Sequence, residues 1–183
     1  MKWIKEINKE NIKFDFITEI KFYILIFLTG GLAGYIYEVI FYLLTEGILI
    51  NRGFLYGPFL PVYGWGALLM TILLRKIKKH PIAVFFLAAI ITGVLEYLTG
   101  HIMFLIWNKR WWDYTGLFLN INGYVCLRSV ISFAIGGLLL IYMVVPLLRK
   151  LIKKTPPWII NTIIIIFLLT YTIDNYFSKM YRN

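Results

Sequence analysis

The chain has 183 residues, 60% of them hydrophobic and 15% charged, with a net charge of +10 and a mean hydropathy of +0.76. Soluble domains run at roughly 45–50% apolar and about 25% charged, so an ordinary cytosolic domain and a disordered chain are excluded. The composition indicates an all-α integral membrane protein, because open sheets leave backbone groups unsatisfied in lipid.

The length allows one domain: an arm over residues 1–21, a helical bundle over 22–178 and a short tail over 179–183. The arm is polar and mixed in charge, unlike a signal peptide. Its Trp3, Ile4, Ile7, Ile12, Phe14, Phe16 and Ile17 would suit an amphipathic helix on the inner membrane surface, or an ordinary polar leader. About five membrane helices are predicted, over residues 22–45, 56–74, 81–107, 123–148 and 157–177. In the second, Pro58 and Pro61 remove backbone donors and Gly53, Gly57 and Gly64 permit close or left-handed backbone. An irregular or re-entrant entry is expected there, or a tight interfacial turn before a plain helix.

Lys and Arg residues cluster between the apolar runs. Thirteen lie in the leader and in the stretches 75–79 and 149–154; five lie in the alternate connections and the tail; Arg128 sits inside a span. The positive-inside rule places the N-terminus in the cytoplasm and the C-terminus outside the cell. The basic excess thus faces anionic lipid, with no nucleic acid as partner.

Ionisable groups within spans are costly and normally face a bundle interior or a watery cavity. Glu38, Glu96 and Arg128 stand out. Each lies on a stripe of small or polar residues at helical spacing: Gly31, Gly34, Tyr35, Glu38, Tyr42 and Thr45; then Thr92, Gly93, Glu96, Thr99, Gly100 and Met103; then Arg128, Ser129, Ser132 and Gly136. With the N-terminus inside, all three fall in the outer half of the membrane, beneath two loops rich in unusual residues. Glu38, Glu96, Arg128 and Asp113 are expected to converge in one outward-facing chamber. These residues form a ligand site or a set of helix-to-helix ion pairs, or snorkel to the outer interface.

Trp111, Trp112 and Tyr114 fit an interfacial aromatic belt. Asp113 between them is expected to accept hydrogen bonds from backbone amides, Arg52 or Arg128. Asn120 and Asn122 are expected to cap the fourth helix. The last helix, with Asp174 near its outer end, reads as lipid-facing scaffold, and Cys126 as a packed thiol. One imidazole, His101, is too few for a metal site. No cofactor is implied. No P-loop, His–Glu zinc pattern or serine-nucleophile elbow occurs, so ATP hydrolysis is not expected of this chain.

The order of motifs is recognisable. Glu38, then NRGFLYGPFLPVYGWG, EYLTG, RWWDYTG and NINGYVCLRS resemble, over about residues 30–146, the CmpB family of ABC-transporter permeases (type IV), small multi-pass bacterial membrane proteins. The resemblance carries over Glu38, Arg52, Gly53, Gly57, Pro58, Pro61, Tyr63, Gly64, Glu96, Trp112, Asp113, Tyr114, Asn120, Asn122, Gly123 and Cys126. A basic residue often follows the NING block in relatives, where this chain has Tyr124. The resemblance implies the bacterial cell membrane and a transport component, with a separate ATPase subunit or a second copy as partner.

Three functions are open on the residues. One is a permease or substrate-capture subunit whose candidate contacts are Glu38, Arg52, Tyr63, Glu96, Trp112, Asp113, Tyr114, Asn120, Asn122 and Arg128. The second is a membrane-embedded enzyme or lipid-headgroup binder, using the carboxylates in acid–base work. The third is a structural or regulatory membrane partner.

Overall fold

The protein's computed structural model describes residues 12–51 and 53–181. Among them there is no strand, only an isolated bridge between Ile121 and Val125. Five helices follow in order: α1 (Phe16–Glu46), α2 (Pro61–Leu74), α3 (Pro81–Trp107), α4 (Leu127–Lys154) and α5 (Pro157–Tyr181). All but α2 are long and apolar enough to cross a membrane. At 14 residues, α2 spans about 21 Å, short of a roughly 30 Å hydrocarbon core.

The helices start and stop for local reasons. The Asp15 carboxylate caps α1 by accepting from the amides of Ile17 and Thr18, so α1 begins inside the stretch expected to be a leader. Gly47, at φ +68°, ends it. Pro81 opens α3 at its first turn, where a missing N–H costs nothing. The chain before α2 stays non-helical through Leu60, as Pro58 and Pro61 foretold. The fourth helix starts later than expected, at Leu127. Asn122 and Gly123 both adopt positive φ, which an α-helix cannot accommodate. Its cap is Cys126, not Asn120 or Asn122: the Cys126 side chain receives the Ser129 amide while Ser129 Oγ receives the Cys126 amide. Inside α4, Leu140–Val144 form one π-helical turn, where Tyr142 donates to the Lys78 carbonyl at 2.6 Å.

The outer faces are apolar: Ile36 and Ile40 on α1, Phe86 and Ile90 on α3, and Ile166 and Leu169 on α5 are all exposed. Helix threonines are neutralised locally, Thr71 and Thr92 donating to carbonyls one turn back.

Two compact units divide the described residues. One comprises residues 66–147 and the other residues 12–65 and 148–181. In the first, α3 and the start of α4 pack closely: a Cβ on Gly137 would lie 2.6 Å from Ala88 Cβ and 3.0 Å from Met70 Sδ. The α4 face against α3 therefore carries Ser129, Ala134 and Gly137, all buried. This corrects the expected stripe, since Arg128 and Gly136 are exposed. In the second unit, Leu55, Phe59 and Phe167 form the core, with Phe27 and Tyr171 packed against them.

Candidate functional site

In the unit of residues 66–147, the site grows from one face of α3. Glu96 is 4% exposed. Its Oε1 accepts from the Tyr114 hydroxyl at 2.9 Å and its Oε2 from Ser129 Oγ at 2.8 Å. One residue on, the Tyr97 hydroxyl accepts from the Asn122 side-chain amide at 3.0 Å. One turn on, Gly100 leaves room for two rings: a Cβ there would lie 2.9 Å from Tyr124 Cδ1 and 3.1 Å from Trp112 Cζ2. His101 stacks on Tyr97 and meets Tyr124 edge-on. The EYLTG block thus receives the loop between α3 and α4 at successive positions.

That loop is held by its own bonds. Trp112 Nε1 donates to the Tyr124 carbonyl at 2.9 Å, and the Tyr114 amide donates to the Gly123 carbonyl at 2.8 Å. Asp113 Oδ1 accepts from Thr115 Oγ1 at 2.6 Å, from the Thr115 amide at 2.9 Å and from Arg110 Nη1 at 3.1 Å. The Thr115 bonds, then the Arg110 charge, hold the Asp113 carboxyl below its ordinary value of 3.8. Arg110 also donates to the Asn122 carbonyl, and its guanidinium lies 4.9 Å from the Tyr124 ring centroid. Gly123 is required at the centre: its φ is +73°, and a Cβ would lie 2.2 Å from Arg110 Nη1 and 2.6 Å from Asp113 Oδ1.

The unit of residues 12–65 and 148–181 builds a second carboxylate–tyrosine pair. Tyr63, in the first turn of α2, donates to Glu38 Oε1 in a short hydrogen bond. Gly34 lies under the Tyr63 ring and Gly31 under Phe59, while the Leu60 amide donates to the Gly31 carbonyl at 3.1 Å. The stretch before α2 is also held by α5. Asp174 Oδ1 accepts from the Tyr56 amide and Oδ2 from the Gly57 amide, each at 2.9 Å. At the other end of this unit, Arg149 makes paired hydrogen bonds to Glu19 at 2.6 and 3.0 Å, with Phe22 4.1 Å from its guanidinium carbon.

These contacts bear on several sequence expectations. Glu38 and Glu96 belong to different units, each with its own tyrosine. Asp113 accepts from a backbone amide as expected, that of Thr115, while the arginine it meets is Arg110. Trp112 and Tyr114 are tied to Tyr124 and Glu96, beyond a belt role. Asn120 shapes the turn by accepting from the Gly123 amide. Arg128 is exposed, one residue before Ser129. Arg52 lies outside the described residues. Asp174 is more than scaffold, since it fixes two backbone amides. Tyr97, Thr115 and Ser129 were absent from the candidate list. The spacing of Tyr97 from Glu96 and Gly100 could have found the first, and the Cys126–Ser129 capping pattern the last.

Apolar outer faces and a buried glutamate inside long helices define a polytopic helical membrane protein. A family model described as “Putative ABC-transporter type IV”, the CmpB family, matches residues 25–179, and the chain belongs to that family. The match runs beyond the narrower extent read from the motifs and takes in nearly all of α5, Asp174 included. None of the curated proteins and none of the solved structures compared with the chain matches it.

Proposed function

We propose that this chain is the membrane-embedded subunit of an ATP-driven transporter, taking substrate from the outer side at a polar site centred on Glu96, with ATP hydrolysed by a separate subunit. The observation that carries the reading is the buried Glu96 carboxylate held by two hydroxyls, one of them on a loop. An ionisable group at membrane depth marks a functional site by default. Family membership supports transport, and the lack of a P-loop motif supports a separate ATPase.

The orientation follows the charges. The basic stretches stand before and at the start of α1, between α2 and α3, and in the last two turns of α4, which puts the N-terminus in the cytoplasm and the C-terminus outside. The chain then crosses five times, the second crossing made by α2 with the non-helical residues before it.

A substrate ammonium or hydroxyl would replace the Tyr114 hydroxyl at Glu96 Oε1, keeping the carboxylate bonded while releasing Tyr114. Arg128, beside Ser129, supplies positive charge for an anionic substrate group. Native mass spectrometry of gently solubilised protein tests this, comparing wild type with Glu96→Gln and Tyr114→Phe. A small molecule retained by the wild type and depleted in both variants is expected. A wild type that carries nothing, with Glu96→Gln only less stable, would make the network a structural tie and overturn the reading.

A further inference from the structure

The unit of residues 12–65 and 148–181 carries a groove of about 380 Å³ between α1, the stretch before α2, and α5. We infer that it seats one acyl chain of a phospholipid whose headgroup ends in a primary ammonium, with Asp174 receiving that ammonium. This site does not depend on the transport reading.

The dimensions identify the occupant. The walls Leu28, Leu32, Ile163 and Phe167 are apolar, and Pro58 and Phe59 from the stretch before α2 add to the lining. Leu32 and Ile163 are exposed, so the groove opens on the lipid-facing surface of two spanning-length helices. From Ile163 to Asp174 it follows α5 for about 16 Å at 1.5 Å per residue, which matches the hydrocarbon depth of one leaflet, about 15 Å. Asp174 stands about 26 Å along α5 from Pro157, at headgroup level if the basic stretch before α5 marks the opposite face.

The charge selects the headgroup. Asp174 is the one carboxylate among the residues lining the groove. Its Oδ1 is occupied by the Tyr56 amide and the Ser178 hydroxyl, whereas Oδ2 accepts the Gly57 amide. A carboxylate oxygen has two acceptor directions, so Oδ2 retains capacity for a further donor. A primary ammonium can donate there, a quaternary ammonium cannot, and an anionic headgroup is repelled. The overall charge of +10 favours anionic lipid everywhere else, so a preference for an amine headgroup would be specific to this groove.

The test is native mass spectrometry of the whole protein with equal amounts of phosphatidylethanolamine, phosphatidylcholine and phosphatidylglycerol. One phosphatidylethanolamine is expected to be retained at roughly tenfold preference over phosphatidylglycerol, the lower range for a hydrogen bond to a charged group. Asp174→Asn should erase the preference. Because Asp174 also holds backbone, Ile166→Trp provides the second variant, filling the groove from its exposed wall: it should lose the lipid at unchanged melting temperature. Equal or greater binding of phosphatidylglycerol, undiminished lipid in Ile166→Trp, or a lipid-free dimer would each overturn the assignment.

Discussion

Glu96 and Glu38 are built by one device and finished differently. In both, glycines on a long helix admit aromatic rings, and a tyrosine hydroxyl from a later segment reaches the carboxylate. Glu96 is buried, has Ser129 as a further donor, and takes its tyrosine from a loop locked by Asp113, Arg110 and Gly123. Glu38 is half-buried and takes its tyrosine from a helix. A helix fixes a hydroxyl by its backbone; a loop must be fixed by its own hydrogen bonds. Under the proposed function, exchange at Glu96 would therefore be governed by the loop's own hydrogen bonds, whereas the Glu38 pair is fixed through the backbone of α2.

The largest contrast should come from deleting the acids. Glu96→Ala strands two hydroxyls in the interior and is expected to cost about 3 kcal/mol, whereas Glu38→Ala should cost about 1 kcal/mol, read as thermal melting in mild detergent. Equal losses would dissolve the distinction. Next, Gly34→Ala sets a Cβ 2.1 Å from Tyr63 Cγ, close to the backbone where the ring cannot swing away. It should cost about 2 kcal/mol and break the Glu38 bond, because overpacking forces such shifts. Smaller still, Tyr114→Phe and Tyr63→Phe should each cost about 1 kcal/mol. Only Tyr114→Phe is expected to speed hydrogen exchange in residues 108–126.

The smallest effect is on pH. Asp113 has its carboxyl held below 3.8, so the lock it makes is fully present above that value and fades as pH falls through the lower folded value. Trp112 fluorescence should stay constant from neutral pH down to about 5 and change only on further acidification. Asp113→Asn should abolish the transition.

Spans and carboxylates were legible because apolar runs and buried charges are local signals. Pro58 and Pro61 announced the irregular backbone before α2 for the same reason. The loop was not legible, since its bonds join side chains to backbone across twelve residues, as from Trp112 to Tyr124. Asp174 was hidden further: beyond Ser178 one turn on, its partners are backbone amides more than a hundred residues away, which no side-chain pattern announces. The tyrosine partners of Glu38 and Glu96 were not legible either, because depth in a span does not say which hydroxyl each acid meets.

The π-helical turn at Leu140–Val144 has a consequence for how α4 is phased. Such a turn inserts one residue into an otherwise regular helix, advancing everything beyond it by about 100°. Arg149, which bonds Glu19, lies beyond the turn. Deleting one residue of the turn would restore an unbroken α-helix and satisfy its backbone, yet rotate every later residue of α4 back by about 100°. Length variation among relatives is therefore expected to spare this helix and to collect in the connections.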